Sequence, residues 1–239
     1  GYDVIIMDGN LDSHFINNLE QKFEKSRFVR VDAEVADKLI EKDEQRPSKL
    51  SNEQKEELRP VFKAHLSPSY AVMMENLSED EMPILITQAE FMRRMKEMAS
   101  MNAGMGFYGN IPDSYNLVVN ANHPLIGKLA QDVDQKLGSK ISELNNQLSP
   151  LTAEAEELKK AKAGKKDDEI KHEDKEKLES LEKQIDEINE KKNLSLNDYG
   201  KGNKIVKQLI DLALISNNML KGEELNTFVK RSVELINVK

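Results

Sequence analysis

Cysteine is missing from this 239-residue chain, which excludes disulfides, thiol nucleophiles and thiolate-bound zinc and fits a reducing, cytoplasmic setting. Positive charge is in short supply: 35 Lys and Arg face 43 Asp and Glu, a net charge of -8. Phosphate contacts need clustered cations on one face, so nucleic acid is not an expected partner and the acidity serves solubility. His14, His65, His123 and His172 each stand alone in the sequence, and no metal is expected. No apolar run reaches the roughly 18 residues of a membrane span and no basic-then-apolar leader opens the chain, so no membrane partner is expected either. An apolar run begins directly after Gly1, which reads as a piece of something longer. What remains is a mean hydropathy of -0.64 with 38% apolar residues, enough for one large or two small domains with part of the chain outside any core.

Residues 1–46 open with Tyr2-Asp3-Val4-Ile5-Ile6-Met7, short and β-branched, which reads as a buried strand. A helix follows, capped by Asp12 or Ser13, with Phe15, Ile16, Leu19 and Phe23 at helical spacing. Arg27-Phe28-Val29-Arg30-Val31-Asp32 reads as a second strand. Strand-helix-strand is the parallel α/β unit, and two strands are not a sheet, so this segment is expected to be the edge of an α/β domain. A short helical pattern at 35–40 leads into a charged linker holding Pro47.

Residues 47–239 are expected to form a mainly helical domain with a small three-stranded sheet, giving an α+β chain. Ser51 caps a helix carrying Leu58, Val61, Phe62 and Leu66, stopped by Pro68. Candidate strands are 70–77, 84–88 and 117–120, the first two flanking the acidic turn Ser78-Glu79-Asp80-Glu81. Pro124 suits the first turn of the next helix, where its missing N–H costs nothing.

From 139 to 196 the pattern is a heptad hairpin. Leu137, Ile141, Leu144, Leu148, Leu151, Ala155 and Leu158 alternate steps of four and three, and Leu178, Leu181, Ile185 and Ile188 resume after a break near Gly164. Dense Glu and Lys between them suit a solvated antiparallel coiled coil inserted in the domain. Pro150 removes a backbone donor in the first arm, so a bend or break is expected there.

The last helix pair is greasier. Ile205, Val206, Leu209, Ile210, Leu212, Ala213, Leu214 and Ile215 leave almost no polar face, and Asn217-Asn218 ends that helix. A second helix from about Gly222 turns Leu225, Phe228, Val229, Val233 and Ile236 inward and Lys230, Arg231 and Glu234 outward. Two such helices meeting a symmetry mate make a four-helix bundle about a two-fold axis. Eight or so large side chains, at roughly 1.5 to 3 kcal/mol each, can exceed an association cost of roughly 4 to 15 kcal/mol. The other reading has both helices roof the small sheet of their own chain.

Between the second and third strands lies Phe91-Met92-Arg93-Arg94-Met95-Lys96-Glu97-Met98-Ala99-Ser100-Met101. As a helix it gathers Phe91, Met92, Met95, Met98 and Ala99 on one face. Such a face is either core or a binding surface, since methionine specifies a core poorly but adapts to many partners.

Three ordered stretches resemble the heat-shock protein 90 chaperones, and their bacterial members most. Met7-Asp8-Gly9-Asn10-Leu11-Asp12 through to Arg27-Phe28-Val29-Arg30-Val31-Asp32 is similar to the end of that family's middle domain. Arg94-Met95 with the later methionines, then Leu117-Val118-Val119-Asn120-Ala121-Asn122-His123-Pro124, resembles the exposed amphipathic helix and Asn-His-Pro turn of its C-terminal domain. Asp211-Leu212-Ala213-Leu214-Ile215 and Thr227-Phe228-Val229-Lys230-Arg231-Ser232 resemble its two closing helices. The resemblance implies a homodimer joined through Leu209, Leu212, Ile215, Leu225, Phe228 and Val229. It implies a surface of Phe91, Met92, Met95, Met98 and Met101 for unfolded client proteins. It implies ATP and magnesium in a separate N-terminal domain, with no cofactor and no catalytic residue in this segment. The ending Leu235-Ile236-Asn237-Val238-Lys239 lacks the acidic tail by which eukaryotic relatives recruit helper proteins.

Two other functions compete. A coiled-coil scaffold would use the globular parts as anchors. A phosphotransfer fragment would rest on Asp8-Gly9-Asn10 after a buried strand, where α/β enzymes keep a carboxylate, but only Asp12 could join it and no Gly-rich phosphate loop accompanies it.

Overall fold

The computed structural model describes residues 4–7, 9, 12–23, 25, 28, 46–88, 94, 114–162 and 172–237. Six helices and one three-stranded sheet form among them, an α+β arrangement. Helix α1 (Asp12–Lys22) lies where the apolar spacing placed it. The residues before it, 4–7, join no strand, and Val4, Ile5 and Ile6 are exposed. A strand needs a neighbour to satisfy its backbone, and no described strand lies beside this one. The expected second strand, apart from Phe28, and the 35–40 helix fall outside the described residues.

Helix α2 (Asn52–Lys63) starts with a reciprocal cap. The Ser51 hydroxyl accepts from the Gln54 N–H at 3.2 Å and the Gln54 side-chain oxygen accepts from the Ser51 N–H at 3.1 Å. Leu58, Val61 and Phe62 of this helix are fully buried against the sheet of β1 (Tyr70–Glu75), β2 (Ile84–Gln88) and β3 (Tyr115–Asn120). The order is β1-β3-β2, with β1 parallel and β2 antiparallel to the central β3. Tyr70 and Tyr115 face each other across the parallel pair with rings stacked at 5.3 Å. Two outer carbonyls of β1 are occupied: Arg59 donates to that of Val72 at 2.6 Å and Lys63 to that of Tyr70. Cations thus blunt an edge that could otherwise template another strand.

Helices α3 (Pro124–Lys162) and α4 (His172–Gly202) form the hairpin. Every heptad position named above is buried or half-buried. Lys159 pairs with Glu182 at 2.8 Å and Lys177 with Glu154 at 2.5 Å across the arms. Contrary to the expected break, α3 runs through Pro150 as one helix. Leu148, Leu151 and Ala155 are buried or half-buried on both sides of the proline, and the packing of the two arms outweighs one missing backbone bond. The hairpin is rooted in the body: Ile141 and Leu196 belong to the main core with Ile126, Leu129 and Val133. At the root α4 touches α2 backbone to backbone. A Cβ at Gly200 would sit 2.3 Å from the Val61 carbonyl oxygen, so only glycine fits.

The chain then turns into α5 (Lys204–Ser216) through a hydrogen-bonded relay. The Tyr199 hydroxyl donates to Asp132 at 2.5 Å and accepts from the Asn203 amide at 2.8 Å, while the Asn203 side-chain oxygen caps Ile205 and Val206. Burial first, then Asp132, pushes the Tyr199 hydroxyl far above its ordinary pKa. Asn218 ends α5 in the left-handed conformation at φ 56°, and Met219 donates back to Leu214 at 2.8 Å. Helix α6 (Gly222–Asn237) follows. Of the two closing helices, α5 covers β2 and α2, whereas α6 packs on α5.

Candidate functional site

The α5–α6 pair carries an uncovered apolar surface and a polar seam beneath it. Within the single chain the side of α6 facing α5 holds Phe228, Arg231, Ser232 and Leu235, all half-buried. Leu225 is 38% exposed, Val229 52%, Val233 53% and Ile236 81%. These four follow helical spacing and make one outward stripe, and Ile205 and Leu212 of α5 are exposed as well. The inward facing read from the sequence for Leu225, Val229, Val233 and Ile236 is therefore corrected: in one copy they face solvent.

The outward facing expected for Arg231 is corrected too. Its guanidinium donates to Asp211 at 2.5 Å and to Gln208 Oε1 at 2.7 Å, and Lys207 also pairs with Asp211. Asp211 is 2% exposed, so a carboxylate withdrawn from water is held by two cations. Gln208 donates to Ser232 at 2.6 Å and Lys204 pairs with Glu234 at 2.9 Å. Polar bonds in fixed directions thus set how α6 lies on α5, which apolar contact alone would not.

The other residues named for an interface divide. Leu209 lies in the main core, Ile215 and Phe228 are half-buried, and Leu212, Leu225 and Val229 are exposed. Phe91, Met92, Met95, Met98 and Met101 fall outside the described residues, as do Asp8 and Asn10. Gly9 and Asp12 make a local turn, the Gly9 N–H donating to the Asp12 carboxylate at 2.7 Å.

The histidines serve separate structural ends. His65 meets the Gly200 carbonyl at 2.8 Å, and burial pushes its pKa down. His123 accepts from the Leu125 N–H at 3.1 Å, and His172 lies 3.4 Å from Glu176 on the surface. Among the described residues no group of three or more His, Asp or Glu converges as a metal site would, and no helix is long and apolar enough to cross a membrane. An open groove of about 750 Å³ between α2 and α4 holds Arg59, Lys63, Glu56 and Glu190, but Arg59 and Lys63 are committed to the β1 edge.

The Asn-His-Pro turn has a structural role that sequence reasoning did not assign. Asn120, fully buried, accepts from the Leu77 and Asn122 N–H groups at 3.2 and 3.1 Å and donates to the Ser78 carbonyl at 2.7 Å. Asn122 accepts from the Lys49 N–H at 2.8 Å and donates to the Pro47 and Leu77 carbonyls. Two amides thus sew residues 47–49 and the β1–β2 loop to the start of α3.

No family model matches the sequence, and no solved structure does. Among curated proteins the chain is 45% identical to the chaperone protein HtpG of Bacteroides fragilis, 43% to that of Bacteroides thetaiotaomicron and 40% to that of Porphyromonas gingivalis. Each alignment spans 99% of this chain and 35% of the relative.

Proposed function

Because this chain is homologous to the HtpG chaperones along nearly all of its length while spanning about a third of theirs, we propose that it is the C-terminal dimerisation and client-contact region of such a chaperone. The observation that carries the reading is the α6 stripe. An exposed row of Leu225, Val229, Val233 and Ile236, mounted rigidly by the Asp211–Arg231 seam, needs an apolar complement. A second copy related by a two-fold axis offers the same stripe in return, and the two helix pairs then close a four-helix bundle. Leu212, Leu225 and Val229 lie at its centre, with Phe228 and Ile215 beside them and Leu209 supporting from below.

Joining two copies at one end raises the effective concentration of their other ends, so encounters between the distant ATP- and magnesium-binding domains of a full-length cytoplasmic protein become nearly intramolecular. The methionine segment supplies an adaptable surface for unfolded polypeptide. This segment of the chaperone performs no chemistry itself.

Sedimentation of the chain over a concentration series tests the dimer, and a single-copy particle at micromolar loading would refute it. A coiled-coil scaffold is the second reading, favoured by the hairpin. Removing residues 152–185, outside the hairpin positions that join the core, separates the two: the dimer is expected to persist, whereas a scaffold loses self-association. For client contact, serine at Met95 and Met98 together is expected to weaken capture of an unfolded protein about tenfold or more, each loss being roughly one buried thioether, with mass and fold unchanged. Undiminished capture assigns the methionines to structure.

A further inference from the structure

The groove between α2 and α4 also reaches β1, the outer strand of the sheet, through Val72. Helix α2 lines it with Glu56, Arg59, Pro60 and Lys63, positions i, i+3, i+4 and i+7 of one helix face. Helix α4 lines it with Glu190, Asn193, Leu194 and Asn197 at the same spacing. On the α2 side a ladder of cations, each four residues from the next, follows the strand in reverse. Lys63 donates to the Tyr70 carbonyl, Arg59 to that of Val72 at 2.6 Å, and Lys55 to the Asn76 side-chain oxygen at 2.9 Å just past the strand's end. Four helical residues rise about 6 Å, close to the roughly 6.6 Å of two strand residues, so the ladder matches every second residue of an extended chain. Arg59 has Glu56 as a counter-charge at 2.9 Å. Among the described residues Lys55 and Lys63 meet only neutral oxygens, which a carboxylate would outbid. The opposite wall repeats the period: Asn193 and Asn197 are four apart, their amides bond no other described residue, and Leu194 beside them is 60% exposed.

We propose that this groove takes an extended peptide with acidic residues at alternate positions, added as a strand to the outer edge of β1. The peptide's N–H groups replace Arg59 and Lys63 on the Val72 and Tyr70 carbonyls, the displaced cations turn to its carboxylates, and the Asn193 and Asn197 amides meet its second edge. The cations that close the edge in the chain alone are then the groups that recognise its occupant. Glu56 and Glu190 repel anions of the wrong spacing. None of these residues belongs to the α6 stripe or to the methionine segment, so the proposal stands apart from the readings above.

The test titrates the whole chain into a labelled synthetic peptide of alternating valine and glutamate and follows anisotropy. Saturable binding is expected, weakened about fivefold by Lys63→Glu and about tenfold when the same glutamates are grouped at one end of the peptide or replaced by lysine. A strand points its N–H groups alternately to its two edges. N-methylating either the glutamate or the valine amides therefore removes the donors of one edge, and at least one of the two peptides is expected to lose binding about tenfold. Lys63 is exposed, so the circular dichroism of Lys63→Glu should match that of the parent. No saturable binding, full binding by the grouped or the lysine peptide, full binding by Lys63→Glu, or tolerance of both methylated peptides would each overturn the proposal. So would displacement of the peptide by a single-stranded oligonucleotide of equal charge, which would make the ladder a general anion surface.

Discussion

Aspartate in place of Val229 is expected to convert the proposed dimer into monomers while leaving each copy folded. Val229 is 52% exposed in the single chain, so a carboxylate there stays in water and costs the monomer little. In the proposed dimer the same position lies on a self-complementary surface, and the substitution enters twice. Two unpaired carboxylates lose hydration without gaining a partner, a penalty of several kcal/mol. A loss of about 4 kcal/mol weakens the dimer roughly a thousandfold. Sedimentation equilibrium at matched loading reads the change, and circular dichroism checks the fold. A dimer of undiminished affinity would remove this stripe from the interface.

Alanine in place of Asp211 is expected to destabilise the chain itself by about 3–5 kcal/mol, the cost of leaving buried charge without its partner. Arg231 is 12% exposed and has Asp211 as its counter-charge, and Lys207 shares the same carboxylate. Asparagine should cost less, since it still accepts from the guanidinium. The informative comparison is Asp211→Leu combined with Arg231→Met, where both charges leave together. If the seam's worth lies in mutual compensation, the apolar pair recovers most of the loss in urea unfolding. A double variant as unstable as Asp211→Ala would show that the individual hydrogen bonds, including that of Arg231 to Gln208, carry the stability instead.

The elements that announce themselves by period or by cap were legible in the sequence. Ser51 started α2, Pro124 started α3 and Gly222 started α6. The heptad positions Leu144, Leu148, Leu181 and Ile185 found their seam. What escaped were polar groups whose burial leaves no periodic trace. Asp211 sits in the most apolar helix of the chain and Asn120 at the end of a strand, and each is stable inside only because specific partners converge on it. Arg231 was read as solvent-facing because charge is usually exposed, and a carboxylate on the neighbouring helix overrode that tendency. Strand order was illegible for another reason. The parallel pairing of β1 with β3 places a strand from later in the chain between β1 and β2, and no local residue encodes that order. Of the candidate site, the greasy character of α6 was legible and the side it turns to solvent was not.

The contact of Gly200 with Val61 makes the hairpin a lever. From Ile141 to Lys162 the arm extends about 32 Å at the rise of an α-helix, so a tilt of about 10° at its root sweeps the far end by roughly 5 Å. With no side chain between the two backbones, the joint at Gly200 is an unpadded fulcrum. Asn203 caps α5 three residues farther on. A displacement of the outer coil therefore meets α2 and the first turn of α5 through backbone contact rather than through deformable side chains.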